Sequence, residues 1–177
     1  MVRRLVSGLV VVCLAVVMTG AAMAGWDPAN EQRARDTIAA FKKADPGIDT
    51  FFKQAHGYAV FPEITKGAIG IGGAGGDGTV FERGAAIGSA SMTQVTIGFQ
   101  LGGQTYSEVI FFKDKAALDH FKSGEYEVAA GASAIALKEG VSKTAEYSNG
   151  VAIFTMATGG LMFEASVGGQ KFSFEPK

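Results

Sequence analysis

One cysteine, two histidines, one tryptophan and four prolines are all that this chain of 177 residues carries of those types. Each scarcity closes a class of function. The single cysteine, Cys13, lies inside an apolar N-terminal run, so the rest of the chain has neither a disulfide framework nor a thiol nucleophile. Two isolated histidines, His56 and His120, give no clustered ligand spacing for a metal. No GxSxG nucleophile elbow is present, and no separated carboxylate pair identifies a general acid and base. We therefore expect no enzyme, no cofactor and no metal site. His56 falls at the end of an amphipathic segment, where an imidazole suits a helix C-terminus, and His120 lies between Asp119 and Phe121 on another.

Long hydrophobic runs are scarce too. The one example spans Leu5 to about Met18, preceded by Arg3 and Arg4 and followed by Ala22-Met23-Ala24. A basic start, a short apolar core and a small-residue cleavage site are the pattern of a secretory leader, and the core is too short for a membrane span. Residues 1–24 read as a signal peptide and 25–177 as a single domain of ordinary size. Removing Arg3 and Arg4 from the 16 basic residues leaves 14 against 17 acidic ones, a net charge of −3. That balance argues against a dedicated nucleic-acid binder and requires any anionic partner to be met by a local patch. The expected location is secreted, either periplasmic or envelope-associated in a bacterium.

Glycine, by contrast, is abundant. Seven glycines fall in the twelve residues after Lys66 (GAIGIGGAGGDG). Gly70, Gly72 and Gly75 spell GxGxxG, but no helix follows and no acidic residue stands near position 95, so a dinucleotide site is rejected. No lysine followed by serine or threonine closes the run, which removes a phosphate loop. The remaining reading is a tightly curved β-structure. Ile69 and Ile71 share one face, Gly70 and Gly72 the other, and Gly75 to Gly78 form a turn.

The rest divides near His56. Asp27-Pro28 caps a first helix running to about Ala44, with Ala34, Ile38 and Phe41 at helical spacing. Asp45-Pro46 starts a second, short one in which Ile48, Phe51, Phe52 and Ala55 share a face. From Tyr58 onward, strand-like segments alternate with glycine turns, the signature of antiparallel hairpins. In one, Val95, Ile97, Phe99 and Leu101 alternate with polar or small residues up to Gly102-Gly103, and Thr105 to Phe112 returns. Another runs from Leu161 through Val167 and Gly168-Gly169 to Lys171–Phe174. Asp114 caps a further helix with Ala117, Leu118 and Phe121 on its apolar side, ending at Ser123-Gly124 and covering the sheet. Val128 to Leu137 fits helix or strand and is assigned to strand. The fold class is α+β: mainly antiparallel, strongly curved, barrel-like β-structure with N-terminal amphipathic helices and one further helix packed on it.

The best candidate binding surface is the helical region from Arg33 to Lys53. Arg35, Lys42, Lys43 and Lys53 would meet anionic headgroups, with Phe41, Phe51 or Phe52 touching apolar surface, each basic residue contributing about 1 kcal/mol at a charged bilayer. The competing reading has those phenylalanines packed on the sheet and the lysines at a solvated edge.

Gly57-Tyr-Ala-Val-Phe-Pro62, Lys66-Gly67 and the glycine cluster to Gly78 resemble the opening signature of the SYLF domain family. The likeness continues through Gln94–Gln104, Val109–Phe112, Ala116–Phe121 and Gly159–Met162 and covers nearly all of 25–177. It implies a lipid-binding module: eukaryotic members bind phosphoinositides and some associate with actin, bacterial ones are exported, and an N-terminal amphipathic helix is implicated in membrane contact. This chain departs from the eukaryotic pattern in its leader and in having no appended signalling domain. The resemblance therefore implies an anionic phospholipid or membrane surface as partner, with neither actin nor nucleic acid expected. The alternative is an envelope structural or protein-interaction domain without a lipid ligand.

Overall fold

The computed structural model describes residues 26–69, 71–97, 103–129, 134–159 and 167–177. Helix α1 (Pro28–Ala44) starts where expected. The Asp27 carboxylate accepts a hydrogen bond from Ala29 N, and proline occupies the first turn, where its missing N–H costs nothing. The chain then turns through a 3₁₀ segment, Pro46–Ile48, into α2 (Asp49–Gln54). Asp45 accepts from Gly47 N at 3.0 Å and, from far along the chain, Ser142 N at 2.8 Å. Those hydrogen bonds to its charged form hold the Asp45 carboxyl below the usual range despite the opposing effect of burial.

Seven strands follow: β1 (Gly57–Ile69), β2 (Ile71–Glu82), β3 (Ala85–Ile97), β4 (Gln104–Phe112), β5 (Ile135–Ala136), β6 (Val151–Gly159) and β7 (Gln170–Pro176). They form one sheet in the order β5-β6-β4-β1-β2-β3-β7, antiparallel except where β5 runs parallel to β6. Helix α3 (Lys115–Lys122) follows β4. Asp114 caps it, accepting from Ala117 N, and Gly124 beyond its end takes φ +75°.

The sheet is rolled but not closed. β4 and β7 are four interstrand steps apart, about 19 Å in a flat sheet. Yet Gln170 Nε2 on β7 donates to Glu108 Oε2 on β4 at 3.0 Å, and the Phe61 and Phe172 rings lie 5.6 Å apart. Strand pairing nevertheless ends at β5 on one side and β7 on the other. The chain leaving α3 borders both edges. Val128 N donates to Gln170 O at 2.9 Å and Gly169 N to Val128 O at 2.8 Å, and a few residues later Ile135–Ala136 pair with β6.

Rolling creates two cores. On the outer face, α1, the 3₁₀ segment and α2 bury Ala34, Phe41, Ile48 and Phe51 against Tyr58, Phe81, Phe111 and Phe154. On the inner face, α3 packs Leu118 and Phe121 against Ala59, Phe61, Ile110, Phe112 and Phe172.

The glycine run departs from expectation. Ile69 pairs directly with Ile71, so those two lie on adjacent strands and not on one face of a single strand. Gly75 to Gly78 form no turn. They lie within β2, each paired with β3. Their role is contact: a Cβ on Gly78 would stand 2.6 Å from Val60 O and 2.7 Å from the Phe61 ring, and one on Gly76 would stand 2.4 Å from Glu63 O. Close approach of β1 is what these positions require. β1 carries a bulge there, where the register shifts, and Pro62 occupies it, its carbonyl accepting from Ser107 Oγ at 2.7 Å. Val128–Leu137 forms strand only at Ile135–Ala136 among its described residues. The Leu161–Ser166 expectation and the tip at Phe99–Gly102 lie outside the described residues.

Candidate functional site at helix α1

The sequence-derived site residues separate into two groups. Phe41 is fully buried and Phe51 nearly so, both in the outer-face core. Phe51 packs on Phe111 at 5.3 Å and Phe154 at 5.0 Å. Phe52, partly buried, lies edge-on to Tyr58 at 5.0 Å and Phe111 at 4.8 Å. The amphipathic face of these helices is therefore occupied by the sheet, and the folded protein does not offer Phe41 or Phe51 to a membrane. The physical reason is that an apolar helix stripe gains equally from burial against strands or lipid, and the strands are covalently at hand.

The basic group stays outside. Glu31 is shared by Arg35 Nη2 at 2.7 Å and Lys177 Nζ at 3.4 Å, and Asp49 by Lys42 at 2.7 Å and Lys53 at 2.6 Å. Each carboxylate thus faces two cations, and each cluster keeps one positive charge in excess. The Arg35 hydrogen bond lowers the Glu31 pKa, and those of Lys42 and Lys53 lower that of Asp49. Lys43 is exposed and makes no ion pair among the described residues. Asp36, which accepts from Gln32 Nε2 at 2.9 Å, offsets part of this charge.

Arg35 and Lys42, seven residues apart on α1, both line an open cleft of about 400 Å³ floored by Ile38 and Tyr58 and bordered by Gly84 of the β2–β3 turn. Their positions are fixed by rings: the Arg35 guanidinium lies 5.2 Å from the Phe81 centroid and Lys42 Nζ 5.1 Å from that of Phe52. The cleft offers two cations beside an apolar floor, which suits a charged headgroup with adjoining hydrocarbon. Sequence reading found the cations but missed Ile38 as floor, Tyr58 and Gly84, because the latter two arrive from β1 and a turn.

Elsewhere, His56 Nε2 lies 2.8 Å from Glu82 Oε1 at the foot of α2. Among the described residues no group of three or more histidine, cysteine or acidic side chains could hold a metal ion. No helix there is long and apolar enough to cross a membrane.

Comparison with known proteins agrees with the residue patterns. Residues 93–177 match the family described as Ysc84, Las17-binding protein actin regulator. The chain is also 30% identical over 128 residues to Beta cell expansion factor A of Aeromonas veronii, an alignment covering 72% of this chain and 49% of that protein. It thus spans about half the length of that relative. The chain belongs to the Ysc84 (SYLF) family, with residues 93–177 carrying the matched domain.

Proposed function

We propose that the protein is an exported, non-catalytic module of the cell envelope that associates with anionic lipid. The observation that carries this is the α1 cleft, where Arg35 and Lys42 overhang an apolar floor in a protein whose overall charge is negative. The leader-like residues 1–24 support export, and membership of a family in which lipid binding occurs supports the ligand class. Contact is peripheral. Headgroup phosphates meet Arg35 and Lys42, Lys43 and Lys53 add long-range attraction, and the helices stay docked on the sheet. An export leader would keep the chain away from actin, so the actin role in the family's description is not extended to it.

The test is co-sedimentation of the purified protein with phosphatidylglycerol-containing and pure phosphatidylcholine vesicles. Binding should favour the former and weaken with salt as screening lengths shorten. Reversing both charges (Arg35→Glu with Lys42→Glu) should remove the preference. Equal binding to both vesicles, or no effect of the double reversal, rejects the proposal. Val95, 74% exposed, supports the alternative of an apolar protein-interaction surface. Salt-insensitive self-association or partner binding lost in Val95→Thr would favour that reading.

A further inference from the structure

A second open cleft, of about 700 Å³, lies where α2 meets the segment leading into β6, and it shares no lining residue with the cleft at α1. Its frame is clamped. The buried Asp45 carboxylate accepts from Gly47 N and Ser142 N, and so ties the segment Pro46–Ile48 to a second 3₁₀ turn, Val141–Lys143. The approach there is close, since a Cβ on Gly47 would stand 2.5 Å from Ser142 Oγ. Lys113, just past β4, is anchored in the same way, its backbone N–H donating to Gly150 O at 2.9 Å.

Three charged side chains line this cleft: Lys113, Lys143 and Glu146. All three are exposed, and none takes part in an ion pair among the described residues. Lysines on the helices nearby behave differently, because Lys53 pairs with Asp49, and Lys115 and Lys122 pair with Asp119. Even Lys143 and Glu146, three positions apart, do not neutralise one another. Two cations and one anion are thus carried on anchored backbone with their tips free. Beside them Thr50 and Gln54 of α2 offer a hydroxyl and an amide, and the Phe51 and Tyr147 rings, 5.3 Å apart, form an apolar wall. A cleft of this size, part apolar with a few polar groups, suits a small organic ligand.

We propose that this cleft binds a short acidic peptide with a free amino terminus, one that carries two separate carboxylates and one ammonium. Lys113 and Lys143 meet the carboxylates, Glu146 meets the ammonium, and the apolar wall takes an aliphatic side chain. The charges of ligand and cleft are then mirror images. A phosphate monoester fits less well, because it concentrates its charge on one group. Lysine is a point charge without the fork by which arginine grips a single oxyanion, these two arise from different elements, and Glu146 repels a compact dianion. The inference goes beyond the lipid reading and does not depend on it.

The test is an NMR titration of the purified protein with alanyl-glutamate, whose amino terminus, side chain and carboxyl terminus supply the three charges. Saturable shifts should appear at the backbone amides of Lys113, Lys143 and Glu146. Alanyl-glutamine, which lacks one carboxylate, and N-acetyl-alanyl-glutamate, which lacks the ammonium, should each bind about fivefold more weakly. Lys113→Gln and Lys143→Gln, both at exposed positions, should weaken alanyl-glutamate by a similar factor. Glu146→Gln should weaken alanyl-glutamate yet leave the acetylated peptide unchanged, a split that loss of folding would not produce. The proposal is overturned by the absence of saturable shifts at these residues, by equal affinity for the three peptides, or by displacement of alanyl-glutamate with equimolar inorganic phosphate.

Discussion

The two faces of the rolled sheet are built on different rules. The outer face is closed by helices over an aromatic cluster: Phe51, Phe52, Tyr58, Phe111 and Phe154 interlock with centroids 4.8 to 6.0 Å apart. The inner face is closed by curvature, and it buries a carboxylate, a lysine and two glutamines beside its phenylalanines. Helices can be added to a flat apolar surface, but rolling a sheet forces whatever lies on its concave side into one space. Polar residues tolerated at the rim of a flat sheet become interior ones. The difference shows that curvature, unlike helix docking, folds polar side chains into the interior together with the apolar ones.

The sharpest way to break this contrast is on the outer face. Phe111→Ala removes a fully buried ring in contact with Phe51, Phe52 and Phe154 and should cost about 3–5 kcal/mol in denaturant unfolding. A loss below 1 kcal/mol would mean that the helices are not held by that cluster.

Next comes Glu108, which burial pushes up to about 7 against the hydrogen bond from Gln170 that lowers it. The raised value means that the folded state binds the proton more tightly than the unfolded chain. Between about pH 4.5 and 7 the unfolded carboxyl is ionised while the folded one is still protonated, so stability falls as pH rises through that window. The accumulated loss is on the order of 3 kcal/mol. Glu108→Gln should flatten the slope and be the more stable protein at pH 8. An unchanged pH profile would show that Glu108 is not desolvated as described. Tyr106 and Tyr126, whose hydroxyls burial raises with a further contribution from Glu108, titrate above this window.

The smallest effect compares glycines of one strand. Gly78→Ala meets Val60 O and the Phe61 ring and should cost about 1–3 kcal/mol. Gly73→Ala, whose nearest neighbour is Gln94 O at 3.6 Å, should stay within about 0.5 kcal/mol of wild type. Equal melting temperatures for the two would deny that β1 needs the glycines for close approach.

Much of the helical layer is legible in the sequence because caps are local: Asp27, Asp45 and Asp114 each announce a start with their own carboxylates. What those helices face is not legible, since the Phe41 and Phe51 stripe would look the same against lipid. The glycine run was misread for a related reason. A strand is recognised by alternating side chains, and residues 72–78 have almost none to alternate, so a turn and a β2 interior read alike. The cations of the α1 cleft were visible, but its floor comes from Tyr58 and a distant turn. Lys66 and Glu108 gave no signal, because their burial follows from the roll of the sheet and from no pattern in β1 or β4.

β7 carries a kinetic consequence. It seals the outer edge of β3 by pairing residues 170–176 with 88–94. Such distant pairing closes a long loop before it returns any contact energy, and topologies of this kind fold on the millisecond-to-second scale. Until residues 170–176 have been made, β3 has no partner on that side and the inner core lacks Phe172 and Gln170. A nascent chain therefore cannot complete this sheet until its last strand has been made, however early the helices and the β1–β4 hairpins form.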